Sequence, residues 1–242
     1  MELEIIKGNI VDVAADAIVL PANTKLKEGS GASAAIFKAA GRKQLTQACK
    51  KLGSCDVGSA VPTLAYDLDA EFIIHAVVPK WIDGEHDEYD QLSSAYLSSL
   101  ELADVMGCTS IAFPLLASGN NGYDPELAFQ IAKENIGSYK ENNLKKAILV
   151  IYDDNIAVMV RKAGYSYSLL PEDAEKRKLQ LEHKKKQKQL FKEGIEVAQQ
   201  FLEEQLQKGI DYLKDPENRQ KLFDDAVKVA GVAFAAVGIK KK

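Results

Sequence analysis

The sequence predicts an α/β layered sheet, and three observations predict it. Short apolar runs such as Asp16-Ala17-Ile18-Val19-Leu20, Phe72 to Val78 and Ala147 to Tyr152 have the length and composition of strands buried on both faces. Stretches with helical spacing of apolar residues alternate with these runs, the pattern of a sheet covered by helices. Two of the strand candidates also run into glycine-punctuated loops that open directly onto helices.

In chain order, Leu3 to Ile6 is a short strand turned by Lys7-Gly8-Asn9, and Ile10 to Val13 leads on to Asp16. The strand Asp16–Leu20 is expected to halt at Pro21-Ala22-Asn23. The loop Lys25 to Gly31 places Gly29 and Gly31 around Ser30, and a helix runs from Ala32 through Ile36 and Ala40 until Gly41 ends it. Gln44 to Leu52 is a further helix. A strand-like region begins at Val57 and ends near Tyr66, and FIIHAVV (Phe72 to Val78) is a strand closed by Pro79. Ser93 to Met106 carries apolar residues at helical spacing. Ile111 to Leu116 is a nearly continuous apolar strand, followed by the small, polar loop Ala117 to Tyr123. Asp124-Pro125-Glu126 then starts a helix to Tyr139, with Asp as N-cap and Pro in the first turn. Ala147 to Tyr152 is the last strand, and Asp153-Asp154 opens a short helix to Lys162.

The chain has 242 residues, 46% of them hydrophobic, enough for one domain with a real core plus an extension. Its net charge of -4 is unevenly placed. From Leu169 onward 16 Lys/Arg stand against 13 Asp/Glu, which leaves an acidic body of 15 basic and 22 acidic residues. An acidic body argues against nucleic acid as a partner, because neutralising phosphates needs a basic face. Cys49, Cys55 and Cys108 are at spacings unlike a zinc site and read as ordinary thiols. The start of the chain lacks the apolar core of a signal peptide, and no stretch approaches a membrane span, so a cytoplasmic protein is expected.

At Pro171 the character changes. Glu172 to Lys188 is densely charged, and Leu190 to Leu213 carries an amphipathic stripe. Asp215-Pro216-Glu217 separates it from an Ala/Val-rich stretch that ends in Lys240-Lys241-Lys242. Residues 172–239 read as a helical extension. It could pack on the domain's own surface, on a partner protein or on a second copy, while the basic end also suits an anionic membrane surface.

The chemistry concentrates in the glycine loops. Glycine admits a close ligand approach, and the free N–H groups of a following helix point at whatever lies there. A phosphate site and a plain strand-to-helix turn both fit one such loop. Two on one sheet could clasp a diphosphate. His75, within an apolar strand, reads as a core histidine satisfied by a backbone carbonyl. Asp83, Glu85, His86, Asp87 and Glu88 read as solvated loop charge. Cys49 and Cys55 have no paired base. The histidines lack ligand spacing, so no metal is expected, and without a G-x-G-x-x-G fingerprint no cofactor is expected.

With these pieces in order, residues 1–168 resemble a macro domain, the ADP-ribose-binding module, and 169–242 lie outside the resemblance. It rests on Gly8-Asn9-Ile10, Asp16 to Val19, Ala22-Asn23, Gly29 to Gly31 with Ala39-Ala40-Gly41, Ile74-His75, Ser110 to Pro114, Ser118-Gly119, Gly122-Tyr123 and Val150 to Asp153. It implies a three-layer αβα fold with a mixed sheet. The implied ligand is ADP-ribose or an ADP-ribosylated protein. The residues expected against it are Asn9, Ile10, Ala22, Asn23, Gly29, Ser30, Gly31, Ala32, Ser118, Gly119, Asn120, Asn121, Gly122, Tyr123 and Tyr152. In the family an acidic residue holds the adenine amino group where Asn9 stands here, and an aromatic stacks on adenine at the place of Tyr152. Asn23 matches the asparagine that contacts the distal ribose.

Two departures bear on activity. Hydrolytic members carry an aspartate ten residues after the asparagine matching Asn23, where this chain has Ser33, and a serine is no carboxylate base. Asn120-Asn121 replace a usual aliphatic–aromatic pair. Asn23, Glu28 and Ser33 are therefore the candidate catalytic residues, Glu28 as the nearest replacement carboxylate. If hydrolysis occurs, a bound water oriented through the substrate's own phosphate would drive it. Removal of ADP-ribose from protein and deacetylation of an O-acetyl ester stay open. So do a non-catalytic reader or scaffold, and binding of a different nucleotide, since Asn9 relaxes adenine selection.

Overall fold

The structure, a computed structural model, describes residues 1–140 and 142–170. The chain divides into Met1–Glu172 and Asp173–Lys242, and the expected helical extension 172–239 lies outside the described residues. The strands are β1 (Glu2–Lys7), β2 (Ala17–Ala22), β3 (Ala60–Leu64), β4 (Phe72–Val77), β5 (Ser110–Pro114), β6 (Lys146–Ile151) and β7 (Ser168–Leu169). The helices are α1 (Ala32–Ala40), α2 (Arg42–Leu52), α3 (Glu88–Val105), α4 (Pro125–Ser138) and α5 (Asp154–Lys162), with one 3-10 turn at Ile10–Asp12.

The seven strands form one sheet in the order β3-β4-β2-β5-β6-β1-β7. Every pairing is parallel except β3 with β4, so the sheet is mixed. Alternation along the strands builds two cores. Ala17, Val19, Ile111, Phe113, Ala147 and Leu149 pack on one face with Leu92 and Tyr96 of α3, Phe129 of α4 and Val160 of α5. Ile18, Leu20, Ala112, Ile148 and Val150 pack on the other with Ile36 and Phe37 of α1 and Leu45 of α2. The result is the expected three-layer αβα sandwich. Strands covered on both sides must be apolar at nearly every position, which is why they are continuous runs in the sequence.

Three local expectations are corrected. Pro21 and Ala22 continue β2 instead of halting it. The carbonyls of Asp16 and Ala22 accept from Phe72 and Val78 on the β4 side, so the Pro21 nitrogen faces β5. The β2–β5 register covers only Ala17 and Ile18, so no bond is lost at the proline. α3 begins at Glu88, five residues before the expected Ser93. β7, unforeseen in the sequence, pairs with β1 at the edge of the sheet. Among the described residues no helix is long and apolar enough to cross a membrane.

Candidate functional site

Because β2, β5, β6 and β1 are neighbours and parallel, their carboxyl ends fall on one edge of the sheet. Asn23 follows β2, Ala117 to Tyr123 follow β5, Tyr152 follows β6 and Asn9 lies two residues after β1. Three strand spacings separate the outer two, about 14 Å. The register between β2 and β5 ends at Ile18, while β2 continues to Ala22 and β5 to Pro114. The strands part there, and loops and helix N-termini enclose the opening.

The first loop, Asn23 to Gly31, is folded around the Asn23 side chain. Its Oδ1 accepts from Lys25 N at 3.1 Å and Lys27 N at 3.2 Å, and its Nδ2 donates to Lys27 O at 2.7 Å. Leu26 is thereby held at φ 53 with its side chain buried. Gly29 N donates to Ser33 Oγ at 3.0 Å, tying the loop to the first turn of α1. Gly31 caps α1 at φ 57, ψ -127, a conformation that only glycine adopts readily. No side chain caps α1, and the N-terminal turn of such a helix offers backbone N–H groups to an anion.

The second loop starts with Ala117 at φ 64, an unusual angle for a residue with a Cβ. Gly122 N donates to Gly119 O at 2.9 Å, and Ser118 Oγ donates to Leu115 O at 2.9 Å. A Cβ built on Gly119 would meet nothing within 4 Å. Asn121 points away from the opening: its Nδ2 donates to Pro79 O at 2.7 Å, and its carbonyl accepts from Trp81 N at 2.8 Å. Tyr123 is buried, packs edge-on against Trp81 and donates from its hydroxyl to Glu88 O at 2.6 Å. The side chains of Asn121 and Tyr123 are thus engaged with Pro79, Trp81 and Glu88. Asn120 crosses to the first loop, donating to Ser30 Oγ at 2.6 Å.

At the other end, Gly8 N donates to Ile151 O at 2.9 Å and holds the ends of β1 and β6 together. This brings Asn9 and Tyr152, a residue 79% exposed, to neighbouring strand ends. A Cβ on Gly8 would overlap the Leu170 side chain, which packs against this turn. Ile10 is buried beneath Asn9, and Ala22 is buried at the end of β2.

The catalytic candidates are all engaged. Glu28 receives Arg42 Nε at 2.9 and 3.2 Å, a pairing 14 residues apart with no local sequence signal. Ser33 is 3% exposed and its hydroxyl holds Gly29. The Asn23 amide shapes its own loop. Glu88, expected as solvated charge, is 1% exposed. Its Oε1 accepts from Ile82, Asp83 and Gly84 N–H and its Oε2 from His86 N–H. Burial pushes this carboxyl up, but the N–H groups outweigh it and hold it down at about 2. One side-chain nitrogen or oxygen from each of Asp83, His86 and Glu88 lies within 4.8 Å of the others, with His86 Nδ1 on Asp83 Oδ1 at 2.9 Å. The Glu88 oxygens are committed to backbone donors, so this cluster reads as a loop staple.

His75 is buried, with Nε2 3.0 Å from Thr63 Oγ1 and Cys49 Sγ at 4.0 Å. Its partner is thus a hydroxyl and not the expected carbonyl. Burial lowers its pKa to about 4 and raises that of Cys49 to about 11, leaving both uncharged near neutrality.

A mixed, mostly parallel αβα sandwich with two glycine loops at one edge of its sheet defines the class of this domain. Comparison with known proteins specifies it further. The family model "Macro domain" matches residues 19–132. The chain is 40% identical over 166 residues to "Macro domain-containing protein TTE0995" of Caldanaerobacter subterraneus, covering 67% of this chain and 95% of that protein. It is 39% identical over 158 residues to an "O-acetyl-ADP-ribose deacetylase" of Escherichia fergusonii, covering 63% and 89%. Among solved structures, the Oceanobacillus iheyensis macrodomain with ADP superposes at a TM-score of 0.63 with 30% identity, covering 66% of this chain and 88% of that one. The Trypanosoma brucei macrodomain in complex with ADP-ribose superposes at 0.58 with 26% identity, covering 67% and 69%. The chain belongs to the macro domain family.

Proposed function

We propose that the domain binds ADP-ribose, free or attached to protein, in the crevice between the Asn23–Gly31 and Ala117–Tyr123 loops. The observation that carries this reading is the line of strand ends itself. It sets Asn9 and the exposed Tyr152 at the ends of β1 and β6, the second glycine loop beside them after β5, and the first glycine loop with an uncapped helix N-terminus after β2, about 14 Å from β1. A base on Tyr152, a diphosphate along Gly119 and Gly31 and a distal ribose near Asn23 fill that length. The ADP-ribose held by the Trypanosoma brucei macrodomain, and the O-acetyl-ADP-ribose in the name of the Escherichia fergusonii relative, support the same ligand.

The cleft is read as a binding site first. Glu28 is paired, Ser33 is buried and Asn23 is spent on its loop, so none of the three offers a base to water. The likeness to an O-acetyl-ADP-ribose deacetylase favours a second reading, in which the substrate's phosphate orients the water. In a non-catalytic reader, residues 172–239 would attach the domain to a partner protein, a second copy or a membrane surface.

Calorimetric titration with ADP-ribose, ADP, AMP and ribose 5-phosphate tests the main reading. ADP-ribose should bind most tightly and ribose 5-phosphate least, and absence of heat with ADP-ribose at submillimolar protein would sink it. Gly119→Glu should abolish binding without unfolding the domain, because the new side chain enters open space and its charge opposes the diphosphate. Incubation with O-acetyl-ADP-ribose and with mono-ADP-ribosylated protein separates the two readings, a binder leaving both intact.

A further inference from the structure

At the base end, the orientation of one amide sets which hydrogen-bonding edge the cleft presents. Asn9 caps the 3-10 turn at Ile10–Asp12, with extended backbone at φ -92, ψ 131, and its Oδ1 accepts from Val11 N at 3.4 Å. The opposite flip would turn Nδ2 toward the Val11 N–H, donor against donor. The cap therefore turns the Nδ2 donor outward and leaves Oδ1 facing its own chain. The Gly8–Ile151 hydrogen bond brings this amide and the exposed Tyr152 to neighbouring strand ends. An exposed ring suits stacking on any purine. The hydrogen-bonding group beside it is what can tell one purine from another.

A purine with a 6-amino group presents a donor at that position, and one with a 6-oxo group presents an acceptor. A carboxylate would welcome the first and repel the second, whereas an outward amide N–H pairs with the second. We propose that Asn9 makes the base end of this cleft accept 6-oxo purine nucleotides, of the inosine or guanosine diphosphate class, at least as well as adenine nucleotides. This rests on the reading of the cleft as a nucleotide site and specifies its base selectivity.

Asn9→Asp is the informative variant. A carboxylate still accepts from Val11 N, so the cap and the fold persist and only the outward donor is exchanged. Calorimetry with ADP and IDP on the full chain should give the wild type an affinity for IDP equal to or above that for ADP. Asn9→Asp should move the ratio toward ADP by roughly tenfold or more, because an unmatched polar pair is costly in a site built for hydrogen bonding. Asn9→Ala should weaken IDP more than ADP. Using a ratio of two ligands on one protein cancels any general loss of stability. A wild type that prefers ADP as strongly as Asn9→Asp does would overturn the proposal while leaving the cleft intact. If ADP, IDP and ADP-ribose all fail to bind, the nucleotide site itself falls and the selectivity with it.

Discussion

Asn120 donates across the cleft to Ser30, joining two loops that are 90 residues apart in the chain. A hydrogen bond of this kind contributes about 0.5–1.5 kcal/mol, which corresponds to a several-fold change in an opening equilibrium. Asn120→Ala should therefore raise the association and dissociation rates for ADP-ribose by about threefold each, while Kd moves less than either rate. Stopped-flow fluorescence can follow this through Trp81, which is bonded to the second loop. Unchanged rates would mean that the two loops move independently. Ser33 also has a holding role, since Ser33→Ala leaves the Gly29 N–H without its partner. That change should weaken ligand binding several-fold, where a spectator serine would have no effect.

His75 sets a pH dependence at the same scale. Its folded pKa lies near 4, below the ordinary 6.5, because burial opposes the charged ring. Between these values the unfolded chain binds a proton that the folded one refuses. Stability is thus complete above about pH 6.5 and declines as pH falls toward 4, by on the order of 3 kcal/mol. Thermal melts of wild type and His75→Gln at about pH 7 and pH 4.5, on either side of most of this window, check it. The variant should lose less stability on acidification than the wild type.

The connection between β4 and α3 shows how an element is placed by a residue that sequence patterns misjudge. Glu88 lies in an acidic stretch that resembles solvated loop, and helical spacing of apolar residues starts only later. Yet its carboxylate gathers four backbone donors from Ile82 to His86, and Asp87 turns at φ 58 to let α3 start there. This fixes Trp81 and Pro79 as the support on which Asn121 anchors the second glycine loop. Glu88→Gln should lower the melting temperature by several degrees and speed amide exchange in residues 81–86. The contribution of the carboxylate is present above about pH 4.5 and lost as pH falls toward 2, since its folded pKa is depressed. No spacing rule exposes such a residue, because its partners are main-chain groups brought round by the loop itself.

Across the whole molecule, the seven-stranded sheet with a core on each face involves residues up to Leu170. Deleting residues 173–242 should leave a cooperatively melting domain that binds ADP-ribose within about twofold of the full chain, as expected of a unit with a core of its own. A truncated chain that loses binding would assign the extension a part in the cleft.

The α/β class, the position of nearly every strand and helix, and the two glycine loops were legible in the sequence alone. Those features follow from apolar periodicity and turn chemistry, which are local. The order of the strands, the Glu28–Arg42 pairing, the burial of Glu88 and Ser33 and the inward turn of Tyr123 came only with the folded chain. Each depends on groups distant in the chain or on backbone donors, whose positions no single stretch encodes. The same holds for Asn9. Its amide is plain in the sequence, but the face it presents to a base is decided by the cap it makes with Val11.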